Sequence, residues 1–148
     1  MTDLSSLTLR RLRAWIRLLR FVRGAESQLR EFLRINFDTT LPRFDVAAAL
    51  YRVNKPVRMS KLSKMLLVSN GNVTTVVDRL EKEGKAQRIA DETDKRVVSV
   101  ELTEDGRNWF KDVAAAHSQE IDRIFEKLGH EDLSQLRNLI SMITRTQN

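Results

Sequence analysis

Residues 60 to 106 read SKLSKMLLVSNGNVTTVVDRLEKEGKAQRIADETDKRVVSVELTEDG, and the spacing of apolar residues changes twice along that length. Leu62, Met65 and Leu66 recur at helical intervals, Val68 and Ser69 interrupt them, and Val73, Val76, Val77 and Leu80 resume at i, i+3, i+4 and i+7. Two short helices sharing one small core account for both stripes. Ser69 stands where an N-cap oxygen meets the free N–H groups of the second helix, and Gly84 stands where that helix should stop. Beyond Gly84 the pattern alternates: residues 86–90 (AQRIA) and 96–102 (RVVSVEL) read as strands, and DETDK between them reads as a hairpin tip. Helix, turn, helix and two-stranded wing follow the order of a winged helix-turn-helix, whose usual partner is duplex DNA.

The second helix keeps Asn70, Asn72, Thr74, Thr75, Asp78, Arg79 and Lys82 off its apolar stripe. Amides, hydroxyls and a guanidinium are the groups that read base edges or hold phosphates. A solvated polar face is the plain alternative, since every amphipathic helix has one. The hairpin tip adds Asp94, Lys95 and Arg96. An arginine there suits a narrow minor groove beside the major-groove helix, while a simple surface ion pair with Asp94 is the competing reading.

These residues resemble the MarR family of bacterial transcriptional regulators. The resemblance lies in Ser69, the VTTVVDRLEKEG run that contains Asp78, Arg79, Leu80, Glu81 and Gly84, then Arg88, then Asp94-Lys95-Arg96, and then Val100, Leu102, Thr103 and Gly106. LPRFDVAAALYR at 41–52 is similar to the helix that precedes the DNA-binding unit in that family, so the likeness covers nearly the whole chain. It implies a mainly α fold with a small β wing, a winged helix-turn-helix over 41–103, and dimerisation helices in 1–40 and 104–148. It also implies a homodimer on a palindromic operator, with DNA contacts from Ser69, Asn70, Asn72, Thr74, Thr75, Arg79, Arg88, Asp94, Lys95 and Arg96. Lys85 and Ala86 depart from the two bulky aliphatic residues that the family usually places after the glycine.

At 148 residues and 41% hydrophobic, the chain has one domain's worth of core. No signal peptide or 18-residue apolar run is visible, and a cytoplasmic protein with no membrane partner is the expectation. The absence of cysteine excludes disulfides, thiol redox sensing and cysteine-ligated zinc. His117 and His130 lack neighbours at metal-ligand spacing and are expected at a surface or interface. With no Gly-rich phosphate loop and no nucleophile elbow, neither an enzyme nor a cofactor is expected.

The net charge of +6 and a pI near 10.1 suit an anionic partner, and its distribution is uneven. Residues 55–100 hold ten Lys or Arg against six acids, as phosphate neutralisation in the DNA-reading unit requires. Residues 1–35 hold eight Arg against three acids, and Arg10, Arg13, Arg17 and Arg20 recur at i, i+3, i+7 and i+10 to form one cationic stripe. That stripe fits a solvated helix face, a DNA-backbone contact, or capture of an anionic small molecule. The Arg-rich leading helix also looks like the MarR branch that controls catabolism of aromatic acids, some members of which answer to hydroxycinnamoyl- or benzoyl-type coenzyme A thioesters. Such a ligand needs an apolar slot, for which Trp15, Phe21, Phe37 and Phe44 are candidates, and a phosphate clamp from the four stripe arginines. Plain core packing is the other reading of those aromatics.

Downstream, Thr103 is a candidate N-cap for a helix from about Glu104 to Leu128, and Gly129 breaks it from a second helix between about Glu131 and Thr146. The functional expectation is a homodimeric repressor of an aromatic-compound catabolic operon that leaves its operator when an effector, such as an aromatic acyl-CoA, binds. A nonspecific or architectural DNA binder without an effector is the alternative.

Overall fold

The computed structural model describes residues 5–66 and 70–145, and among them six helices and three short strands follow one another. The long α1 (Ser6–Phe37) opens with the Ser5 hydroxyl accepting from the Thr8 N–H and closes on Asp38 in the left-handed region. Thr40 caps α2 (Leu41–Val53) by accepting from the Arg43 N–H, with Pro42 in the first turn where its missing donor costs nothing. The short β1 (Val57–Arg58) runs directly into α3 (Met59–Met65), and α4 (Asn70–Lys82) follows. The wing is β2 (Ala86–Ala90) and β3 (Val98–Leu102), and α5 (Glu104–Ile124) and α6 (His130–Thr144) complete the chain.

Helix-turn-helix and wing therefore form as the apolar spacing predicts. Leu62 from α3 and Val73, Val77 and Leu80 from α4 are all buried in one core with Val46, Ala47 and Leu50 of α2. At Gly84 the backbone turns to φ +71°, a conformation that costs glycine least, and the Lys85 N–H returns to the Leu80 carbonyl. The proposed N-cap Ser69 lies outside the described residues.

The sheet is antiparallel in the order β1-β3-β2, and β1 is an element that the alternating pattern did not reveal. It pairs Val57 with Val100 and Arg58 with Ser99, and so ties the entry of α3 to the wing. On the other side β2 pairs Ala86 with Leu102 and Ala90 with Val98. The second wing strand starts at Val98, two residues later than expected, because Asp94 and Val97 close a turn in which the Val97 N–H donates to the Asp94 carbonyl.

The departure at Lys85 and Ala86 is absorbed locally. Ala86 is small enough to bury against β3, while the Lys85 ammonium lies 4.1 Å above the Trp109 ring and its stem covers apolar surface. At the start of α5 the Thr103 hydroxyl accepts from the Gly106 N–H and donates to the Gly84 carbonyl. A Cβ on Gly106 would overlap the Lys85 carbonyl, which explains glycine at that position.

The core runs from Leu33 through α2 and the wing to Phe110 and Val113. It crosses both ends of the 41–103 unit, because α2 packs on α5 as well as on α4. The α5 helix stops at Ile124, short of the expected Leu128, and α6 begins at His130 with Asp132 accepting from the Gly129 N–H. Of the 32 residues of α1 only Leu29 and Leu33 are buried, and α6 buries none. His117, expected at a surface or interface, is half-buried within the chain and stacks on Phe44 with centroids 4.3 Å apart, and that burial lowers its pKa from the ordinary imidazole value.

Candidate nucleic-acid interface and adjoining cavity

Three backbone segments meet around the exposed side of α4. Its amphipathic spacing buries Val73, Val77 and Leu80, which forces Asn72, Thr74, Thr75, Asp78 and Arg79 to the exposed side. The start of α3, α4 and the wing enclose a cleft of about 480 Å³ lined by Arg58, Ser60, Thr74, Arg88 and Arg96. Three arginines and two hydroxyls suit a sugar-phosphate backbone. Arg58 belongs to this set although no motif pointed to it; its signal lies in the β1–β3 pairing, which brings it beside the wing.

The wing tip is built by Asp91 and Asp94. Asp91 accepts from the Thr93 hydroxyl and from the Thr93 and Asp94 N–H groups, which together hold its pKa below the ordinary aspartate value. Asp94 in turn accepts from the Arg96 N–H at 3.1 Å and from its guanidinium Nε at 3.2 Å. The Arg96 side chain is 93% exposed, so it is aimed but not covered. Lys95 is exposed at the same turn.

Two ionic brackets hold α4 to its surroundings. Glu83 accepts from Arg43 of α2 at 2.8 Å, from Arg79 of α4 at 2.8 Å and from Lys85 at 2.9 Å. Burial opposes ionisation of Glu83, but the hydrogen bonds from Arg79 and Lys85 and the nearby Lys85 and Arg43 charges outweigh it, so its pKa is lowered. Arg88 of β2 bridges to Asp78 at 2.6 Å and to Glu81 at 3.0 Å on α4. The sequence assigned Arg79 and Arg88 to DNA, and the structure shows both already engaged with carboxylates that fix the helix against α2 and the wing. Asn70 opens α4, and its side chain is outside the described part.

Behind α4 lies a second cavity of about 470 Å³, between α1, α2 and α4. Leu41, Val46, Leu66, Val73 and Val76 give it apolar walls, and Glu26, Arg30, Asp45, Asn72 and Thr75 supply its polar groups. Burial and the Glu26 charge together raise the Asp45 pKa. Asn72 and Thr75 are thus shared between this cavity and the outer side of α4.

A family model described as the MarR family matches residues 40–98, the stretch that runs from α2 through α3, α4 and β2 to the first residue of β3. YkoM of Bacillus subtilis (strain 168), an uncharacterized HTH-type transcriptional regulator, is 32% identical over 112 residues, which is 76% of this chain and 71% of YkoM. The chain belongs to the MarR family. AbsC, a MarR family transcriptional regulator from Streptomyces coelicolor, superposes with a TM-score of 0.83 at 25% identity, over 99% of this chain and 98% of AbsC. A mutant MarR from E. coli complexed with operator DNA shares the fold, with a TM-score of 0.79 at 23% identity, over 94% of this chain and 99% of that one.

Within this MarR fold, the ring slot and arginine clamp expected from the sequence do not come together in the chain. Phe44 packs in the core between Phe110, 5.5 Å away, and His117. Phe37 lies against Phe32 at 6.1 Å, Phe21 meets Phe125 edge-on at 5.5 Å, and Trp15 is 58% exposed on α1. Arg10, Arg13, Arg17 and Arg20 are exposed on the first half of α1, whereas the cavity meets that helix at Glu26 and Arg30. At about 1.5 Å of rise per residue, even Arg20 is roughly 9 Å along the axis from Glu26. The core reading is the correct one for Phe44 and Phe37. Among the described residues no helix is long and apolar enough to cross a membrane.

Proposed function

We propose that this MarR-family regulator acts as a homodimeric, sequence-specific repressor that leaves a palindromic operator when a small molecule occupies the cavity between α1, α2 and α4. The observation behind this reading is the sharing of α4: its outer side carries the polar residues beside the arginine-lined cleft, and Asn72, Val73, Thr75 and Val76 of the same helix line the cavity. A ligand there changes DNA affinity to the extent that it prefers one position of α4 over another. The aromatic-catabolism reading rests on the resemblance of the leading helices, and the apolar walls suit a ring. A coenzyme A thioester is a poorer match to the sequence-based clamp, because Arg10, Arg13, Arg17 and Arg20 lie away from this cavity in the single chain.

Selection from a pool of random duplexes tests the DNA half. A regulator of this kind enriches a two-fold symmetric sequence whose half-sites are about one helical turn apart, and it keeps a large affinity ratio for that sequence as salt rises. An architectural binder enriches nothing and weakens by the same factor on every duplex, which would overturn the proposal.

A further inference from the structure

The same cavity also constrains the charge of its occupant. Glu26 from α1 and Asp45 from α2 both line it, and among the described residues neither carboxylate has a hydrogen bond or ion pair. Burial, and after it the Glu26 charge, keeps the Asp45 carboxyl above its ordinary pKa. Both residues are solvent-exposed where they line the cavity, and Arg30 is the one cation among the described residues of its lining, so two carboxylates edge apolar walls in the arrangement that suits an ammonium on an apolar body. Arg30 lies one turn along α1 from Glu26 and pairs with neither. It also lines an adjoining groove with Arg43 and Arg79, so it stands where the acidic cavity gives way to a basic surface.

We propose that this cavity binds a cationic hydrophobe, an amine-bearing molecule whose ammonium sits between Glu26 and Asp45 and whose apolar body lies along Val46, Val73 and Val76. The volume is that of ordinary small-molecule sites. An ammonium donates to both carboxylates at once and removes their repulsion, which makes each contact a charge-assisted one. An organic acid of the same shape would bring a third carboxylate against a single guanidinium. Because the apolar body touches α4 itself, occupancy of the cavity is felt by the helix that carries the polar outer side. The inference rests on reading this cavity as the effector site, and it names the ligand class for that site.

Two probes with a similar ring and reach but opposite charge separate the possibilities: 2-phenylethylamine and 3-phenylpropanoate. Each is titrated calorimetrically into the full chain, and the selected operator duplex reports release by fluorescence anisotropy. The amine should bind about tenfold or more tighter than the acid, and Asp45→Asn and Glu26→Gln should each weaken the amine by a similar factor while leaving the acid unchanged or improved. Tighter binding by the acid, with release of the operator, overturns the cationic assignment and leaves the effector reading standing. Carboxylate-dependent binding of the amine with no effect on the operator does the reverse: the site is as proposed, and the effector reading fails. An amine that binds equally well to both variants, or does not bind at all, overturns the inference.

Discussion

Arg96 sits on the wing with its guanidinium held by an aspartate two residues away, on a surface expected to meet a polyanion. An aspartate there repels phosphate, so its presence is sensible only if orienting the arginine outweighs the repulsion. Arg96→Ala should therefore lower operator affinity by about tenfold or more, and Asp94→Ala should lower it as well, although it adds one unit of positive charge. Anisotropy titrations at fixed salt measure both. Tighter binding by the Asp94 variant would show that repulsion dominates. This pair was legible in the sequence because the contact is local, set by a turn whose residues are adjacent. Arg58 and the Arg43–Glu83 pair were not legible, since their partners come from β3 and α2 and are brought near only by the fold. That the four stripe arginines lie apart from the cavity was hidden for the same reason. Helical spacing places Arg10 to Arg20 on one stripe correctly, but it is silent on which part of a 32-residue helix meets a cavity.

At the scale of elements, the packing of α5 against the wing depends on a missing side chain. Gly106 lies so close to the Lys85 carbonyl that any Cβ must displace backbone, and that backbone is also the receptor for the Thr103 N–H. Gly106→Ala should cost about 1 to 3 kcal/mol or more, because the overlap is with main chain and not with a movable side-chain end. Gly24→Ala is the matched comparison: it lies within α1 with open space around its Cβ position, so the substitution should stabilise by up to about 1 kcal/mol through helix propensity. Urea unfolding of both variants reads the two signs, and equal effects would show that the Lys85 contact is unimportant. Elements with long, regular stripes were readable in advance, as α4 and the C-terminal pair show. The two-residue β1 was not, because a strand that short has no period of its own and exists by pairing with Val100 and Ser99. Helix ends drifted for a related reason: α5 stops where Phe125 turns to meet Phe21 of α1, a contact that no local signal encodes.

The whole molecule leaves its two terminal elements half-finished. Leu9, Leu12, Trp15, Ile16 and Phe21 of α1 stay exposed, and so do Leu133, Leu139, Ile140, Met142 and Ile143 of α6. Exposed apolar faces of this kind mark interaction surfaces in soluble proteins, and a closed two-fold arrangement would cover the same face on both copies. Such an arrangement would also give the DNA-reading unit its symmetry, since two α4 helices related by a two-fold axis can address two half-sites. Replacing Leu139 and Ile140 together by Glu puts two charges on the exposed side of α6, away from the core that spans Leu33 to Val113. Sedimentation at micromolar concentration should give a dimer for the natural sequence and a folded monomer for the double variant, with circular dichroism unchanged. Operator affinity should then fall steeply, because each monomer holds one half-site and loses the gain of linked binding. Retained dimers would move the interface off α6, and a monomer that binds the full operator as tightly as the natural chain would remove the two-fold arrangement from the account of how this protein reads DNA.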